Sequence, residues 1–311
     1  MAPEARRLVV KKATMFSALP IQDLLSQLDA GFVAETPSRA ILQELWKRAS
    51  AAYATTIPAR SFLMRGDLRP LEDANGEKVQ RTFDRIRPYP PFDTHPSEVM
   101  NARISKLVTP QPTVNLSRAE KRATVKSGMS EEELFDLAFG SAGEPEPITR
   151  QTLGMALNGG ALLFTSYDED IRLHHPPQFR NIPVNDADPN SPTLDSVCLP
   201  VGGGLPFAAA RRIQIAPGTF RLILGNGIHR MYRLAVAGYE WCPVVVTDME
   251  PLEIPDPFVD LPKEVLLDPA SNPPLIVDFT NGGLVIELSY YRVLKTIRLN
   301  WNFEQYVTVL K

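Results

Sequence analysis

Cysteine is scarce in this sequence: Cys198 and Cys242 are the two it holds in 311 residues. Two thiols that far apart make neither a disulfide framework nor a zinc motif, and both are expected reduced and partly buried, as in a cytoplasmic protein. Long apolar runs are missing too, so no stretch approaches the ~20 residues of a membrane span. The opening Met-Ala-Pro-Glu-Ala-Arg-Arg-Leu-Val-Val-Lys-Lys carries basic residues but no apolar secretion-signal core after them, which predicts a chain that is not exported. Nor does one sign of charge prevail: 33 Lys and Arg stand against 36 Asp and Glu, for a formal net charge of -3. That balance does not favour nucleic acid as a partner, because sequence-independent binding to phosphate backbones needs a basic surplus.

Proline, by contrast, is abundant at 29 residues, which predicts long ordered connections between regular elements. The apolar run Leu8 to Val10 reads as a strand or as a docking arm. A helix is expected from Leu19, with Pro20 in its first turn, Leu24, Leu25 and Leu28 on one face and Gly31 as its stop. A second is expected after Thr36 and Pro37, where Ile41, Leu42, Leu45, Trp46, Ala49 and Tyr53 keep helical spacing. Between Ile57 and Pro112 the periodicity breaks into proline-rich and charged pieces, so an extended connection is predicted. Its segment Arg87 to Phe92 fits either a surface meander or a recognition strip for another chain. His95 stands there beside Asp93.

Ser117 with Glu120 and Ser130 with Glu133 have the spacing of capping boxes and predict two short helices, the first basic and the second acidic. Gly143-Glu-Pro-Glu-Pro147 marks a boundary, since alternating proline and acid suits neither helix nor sheet. Beyond it, Ile148 to Leu157 reads as a helix ended by Asn158-Gly159, and Ala161 to Thr165 as a buried strand. His174 and His175 are neighbours, and adjacent side chains seldom converge on one ion, so no metal site is assigned. The tail from Leu275 turns to β, with Thr280-Asn281-Gly282-Gly283 as the turn of a hairpin.

Chemistry concentrates between Phe220 and Val246. An apolar strand, Leu222 to Leu224, meets a turn at Gly225 and Gly227. A helical pattern follows with Met231, Leu234, Ala235 and Ala237 on one side, Gly238 as its stop, and a second strand from Pro243 through Val246. The first amides of a helix lack internal partners and carry partial positive charge, so an anion is welcome there. Gly225 and Gly227 allow close backbone approach, and His229 and Arg230 add donors, which points to phosphate.

The run Asn226-Gly227-Ile228-His229-Arg230, followed by Tyr232, Leu234, Ala237-Gly238 and Pro243-Val244, resembles the ParB/sulfiredoxin-like superfamily over about 40 residues, Arg212 to Asp248. Together with the patterns above, this resemblance gives an expected α+β protein: a mainly helical region over 1–146 with a long proline-rich connection, a ParB/sulfiredoxin-like domain over 147–250 and a β-hairpin extension over 251–311. It also implies a site formed by Gly225, Asn226, Gly227, Ile228, His229 and Arg230 that holds the phosphates of CTP, ATP or ADP, with Mg. If the family's strand order holds, Arg211 and Arg212 lie near that site. The departures matter. Ile228 stands where sulfiredoxins carry their catalytic cysteine, and the ~65 residues after the domain read as strands rather than the helix-turn-helix of chromosome-partition members. Any hydrolysis or phosphoryl transfer needs a carboxylate, for which Asp168, Glu169, Asp170 and Asp195 are candidates without an assigned role. The alternative is a non-catalytic scaffold that keeps the fold and self-associates as a homo-oligomer or binds a protein partner. A third reading is a ParB-like DNA-binding or nuclease protein.

Overall fold

The computed structural model describes residues 9–15, 21–22, 25, 33–35, 38–71, 76–87, 91–122, 124–140, 148–156, 159–167, 171–173, 178–183, 193–198, 201–202, 207–254, 261–291 and 294–302. Helices and strands are mixed, in keeping with an α+β class. The strands, in chain order, are β1 Val9–Met15, β2 Val33–Glu35, β3 Leu68–Pro70, β4 Ser97–Arg103, β5 Leu107–Val108, β6 Thr113–Asn115, β7 Thr149–Ala156, β8 Gly159–Ser166, β9 Arg172–Leu173, β10 Gln178–Pro183, β11 Thr193–Cys198, β12 Val201–Gly202, β13 Ala209–Ala216, β14 Thr219–Asn226, β15 Trp241–Met249, β16 Val285–Tyr291 and β17 Lys295–Asn302. The helices are α1 Arg39–Ala54, α2 Gly76–Ile86, α3 Leu116–Arg122, α4 Glu131–Phe139, α5 Ile228–Val236 and α6 Lys263–Leu267.

Two compact units result, one from residues 1–144 with 205–292 and the other from 145–204 with 293–311. Both are discontinuous, unlike the three consecutive segments expected from sequence. The reason is strand pairing: β4 and β5, from the N-terminal third, pair with β15 and β14 in one sheet, and β1 pairs with β16.

The first unit is built on a six-stranded sheet in the order β3-β4-β15-β13-β14-β5. β13 and β14 form an antiparallel pair, β13 runs parallel to β15, and α5 connects β14 to β15 in sequence. Alternation along each strand sends Leu222 and Leu224 to one face and Ile223 to the other. The first face packs Leu222, Leu224 and Val244 with Ile228, Met231 and Leu234 of α5 and Leu134, Phe135, Ala138 and Phe139 of α4. On the second, Ile213, Ile223 and Val108 meet Ile254, Leu261, Leu266 and Leu275. Each such side chain contributes roughly 1.5–3 kcal/mol on burial, so both faces of the sheet stabilise the unit. A four-stranded sheet, β2-β16-β1-β6, completes it.

The stretch expected to be an extended connection holds instead a central strand, β4, and the helix α2. Thr82 and Ile86 of α2 are buried and Val79 and Phe83 half-buried, an amphipathic stripe set among charged residues. Caps also moved. α1 starts at Ser38, whose hydroxyl accepts from the Ile41 amide, rather than at Thr36, which lies outside the described residues. Asn115, not Ser117, caps α3 by accepting from the Arg118 amide. The Ser130–Glu133 box is present as expected. Of the helix expected from Leu19, Ile21, Gln22 and Leu25 are helical and the rest lies outside the described residues.

The Leu275 hairpin is also corrected. Ile276–Thr280 is a 3-10 turn, tied down because Asp278 accepts from the Leu275 amide and from both ends of the Arg60 guanidinium at 2.5 and 2.7 Å. β16 follows it and pairs with β1 and β2.

In the second unit, β7 pairs with β8 and β8 with β17, while β10 with β11 and β9 with β12 form two-stranded pieces. β7 replaces the helix expected over Ile148 to Leu157. Register explains it: Thr149 faces Thr165 and Ala156 faces Gly159, so two residues separate the arms, as in a tight hairpin.

Candidate functional site

β14 ends at Asn226, whose side-chain amide donates to the Phe207 carbonyl. Gly227 then caps α5 in the left-handed region, φ 97°. A β-carbon there would lie 3.1 Å from Cα and Cβ of Ala208, so conformation and space both require glycine. The Gly227 carbonyl accepts from the Arg230 and Met231 amides at 3.0 Å each. Its partners show that the helix starts here, with the Ile228 and His229 amides in the opening turn. At the far end, the Gly238 amide donates to Ala235 and the Tyr239 amide to Leu234, with Gly238 at φ 79°. That is a Schellman stop, as the Ala-Gly pair predicted.

The side chains divide differently from expectation. Arg230, expected at the phosphate, is 4% exposed, and its guanidinium donates to the carbonyls of Ala138 at 3.1 Å and Gly140 at 3.4 Å. It is therefore turned to the C-terminal end of α4, where carbonyls lack helical partners and a cation suits the dipole. His229 is half-buried and Ile228 buried against the core.

Arg211 and Arg212 were both expected near the turn, but alternation along β13 puts them on opposite faces. Arg211 Nη1 lies 3.3 Å from where a β-carbon on Gly225 would stand, so a guanidinium packs against the glycine turn two residues before the α5 cap. Burial pushes its pKa down to about 10, which leaves it a cation at neutral pH. Arg212 instead forks onto Asp248 at 2.6 and 2.7 Å, and that hydrogen bonding raises its pKa.

Asp168, Glu169 and Asp170 lie outside the described residues, as do His174 and His175, and Asp195 falls on β11 of the second unit, in register with Asn181. Among the described residues, no group of three or more His, Cys, Asp or Glu is arranged to hold a metal ion. Cys242 is fully buried and free, and burial drives its thiol pKa upward, so it is a core residue rather than a nucleophile. No described helix is long and apolar enough to cross a membrane.

One pairing escaped sequence reading altogether: His95 Nε2 lies 2.7 Å from Glu253 Oε1, across 158 residues of sequence. Asp93 was the neighbour in sequence, but Glu253 is the partner in space. No family model, curated protein or solved structure matches this chain.

Proposed function

We propose that the first unit contains a ParB/sulfiredoxin-like core and binds a nucleotide or other phosphorylated ligand at Gly225, Asn226, Gly227, Ile228 and His229, with CTP, ATP or ADP, accompanied by Mg, as the leading candidates. What supports this reading is the guanidinium of Arg211 packed against Gly225 at the strand end that leads into α5. A cation beside opening helix amides favours an anion through charge-assisted hydrogen bonds. In this reading the Ile228 and His229 amides, the His229 imidazole and Arg211 contact phosphate. Arg230 braces the turn from behind through Ala138 and Gly140. Phosphoryl transfer or hydrolysis is a further step for which no carboxylate is assigned.

Titration calorimetry with CTP, ATP and ADP, each with Mg, tests it. Binding by the native chain, weakened about tenfold or more in Arg211→Ala, is expected, since a hydrogen bond to a charged group contributes ~1.5–3 kcal/mol. No heat with any of the three, or equal binding by the variant, retires the reading.

A second reading has its own observation. Gly227 is required by Ala208 and Arg230 is engaged by α4, so the turn is well packed without any ligand. A self-associating scaffold would keep that packing for stability alone. Mass measured across concentration discriminates: nucleotide-independent oligomers favour the scaffold, nucleotide-dependent change the ligand switch.

A further inference from the structure

A cavity of about 860 Å³ opens in the first unit, lined by residues 63–66 and 68, His95 and Pro96, and residues of β13, β14 and β15 with Glu250 and Glu253 at the 3-10 turn Pro251–Glu253. Its size falls within the range of ligand pockets. Leu63, Leu68, Phe220 and Met249 give it apolar walls, and Met64 stands 66% exposed beside them. Leu252, next to the lining Glu253, is more exposed still. An apolar body is therefore part of what the cavity fits.

Its polar groups have a definite bias. Arg212 is matched by the Asp248 carboxylate through a bidentate fork, and His95 by Glu253. Both basic heads have donors turned to these partners, while the carboxylates are open to solvent, Asp248 at 48% and Glu253 at 41%. Each oxygen keeps a lone pair beyond the bond it accepts. Beyond the two matched pairs, Glu250 lines the cavity and Glu98 stands 3.9 Å from Arg212, against Arg65 as the one further lining cation among the described residues. The cavity thus presents acceptors and a small surplus of negative charge around an apolar wall.

We propose that this cavity binds an organic cation, an alkylammonium or alkylguanidinium group on an apolar stem, and that His95 weakens the binding when protonated. The group stacks its stem on Leu63, Phe220 and Met249 and donates to Asp248, Glu250 and Glu253. His95 is faced by Glu253 from the 3-10 turn, by Asp93 in its own loop and by the Pro91 carbonyl, with Thr94 Oγ1 2.8 Å from its Nδ1. Glu250, Asp248, Arg212 and Arg65 are the remaining charged groups lining the cavity. The bond to Glu253 raises the His95 pKa, so protonated His95 cancels the Glu253 charge in mildly acidic solution. When His95 loses its proton, that carboxylate becomes available to the ligand.

The shared chemistry has two sources, a free small cation or an Arg or Lys side chain on a polypeptide. Calorimetry of the full chain with butylguanidinium, with a blocked Ala-Ala-Arg-Ala-Ala peptide and with butyl phosphate tests it, at about pH 5.5 and about pH 8.5. At least one cationic probe is expected to bind, about fivefold tighter at the higher pH, as one unit charge at this range predicts. Binding of the peptide alone identifies a polypeptide source, and binding of butylguanidinium a small-molecule one. His95→Gln is expected to abolish the pH dependence and Glu250→Gln to weaken binding at both pH values, with the circular dichroism of each variant matching the parent. Absence of heat from both cationic probes, equal or tighter binding of butyl phosphate, or unchanged pH dependence in His95→Gln overturns the proposal.

Discussion

Arg221 shows how much one buried side chain organises. It is 0% exposed, and its guanidinium donates from Nε to the Ser61 hydroxyl, from Nη1 to the Leu266 and Asp268 carbonyls and the Ser271 hydroxyl, whose bonds share its two hydrogens, and from Nη2 to the Ser271 carbonyl. Burial pushes its pKa down to about 10, far enough above neutrality for it to remain charged. Because neutral oxygens satisfy it, removing the head leaves several buried acceptors unpaired, each costing ~1–3 kcal/mol. Arg221→Met is therefore expected to destabilise by about 3 kcal/mol or more in urea unfolding. The pair His95–Glu253 acts more gently. The raised His95 pKa gives stability that is full below the ordinary imidazole value and lost as pH rises through the folded one. Glu253 is lowered by the Glu250 amide and then by His95, so its share is present above the ordinary carboxylate value and lost as pH falls through the depressed one. Between those limits the pair stabilises. The melting temperature of the native chain should thus fall relative to His95→Gln as pH rises from about 6 to about 8.5, and parallel curves would refute the linkage.

At the scale of elements, what the sequence disclosed was local. The unit β14, turn, α5, β15 was legible because each of its signals lies within a few residues of what it controls: Gly227 at the cap, Met231 and Leu234 at helical spacing, Ala237-Gly238 at the stop and Val244 to Val246 as a buried strand. The Ser130–Glu133 box was legible for the same reason. β7 was misread because an apolar residue every few positions suits a helix, while its strand character comes from pairing with β8 and the two-residue separation of Ala156 and Gly159. β4 was missed because its partners, β3 and β15, are set by long-range register. Arg230 belongs here as well. Its position in the motif was plain, but the carbonyls it serves, on Ala138 and Gly140, are some 90 residues away in sequence. Gly227→Ala should cost about 1–3 kcal/mol in unfolding, combining positive φ with the Ala208 contact. Gly225→Ala should cost less, because what it meets is the tip of the Arg211 side chain, which can give way. Equal losses for the two would show that the cap conformation is not what Gly227 supplies.

For the whole molecule, the order of pairing separates the chain into parts that need not melt together. β16 belongs to the first unit through β1 and β2, whereas β17, four residues further on, belongs to the second through β8. β8 depends on two partners: β7, joined to it by a local hairpin, and β17, which supplies the other edge from the end of the chain. A two-stranded hairpin is marginal alone, and a third strand is what makes such a sheet persist. Truncation after Arg292 removes β17 while leaving every paired strand of the first unit in place. Hydrogen exchange should then show loss of protection in β7 and β8, with the amides of β13, β14 and β15 retaining theirs. If β13 to β15 lost protection together with β7 and β8, the two units would be one cooperative body, and the turn at Gly225 to Arg230 would draw its stability from both.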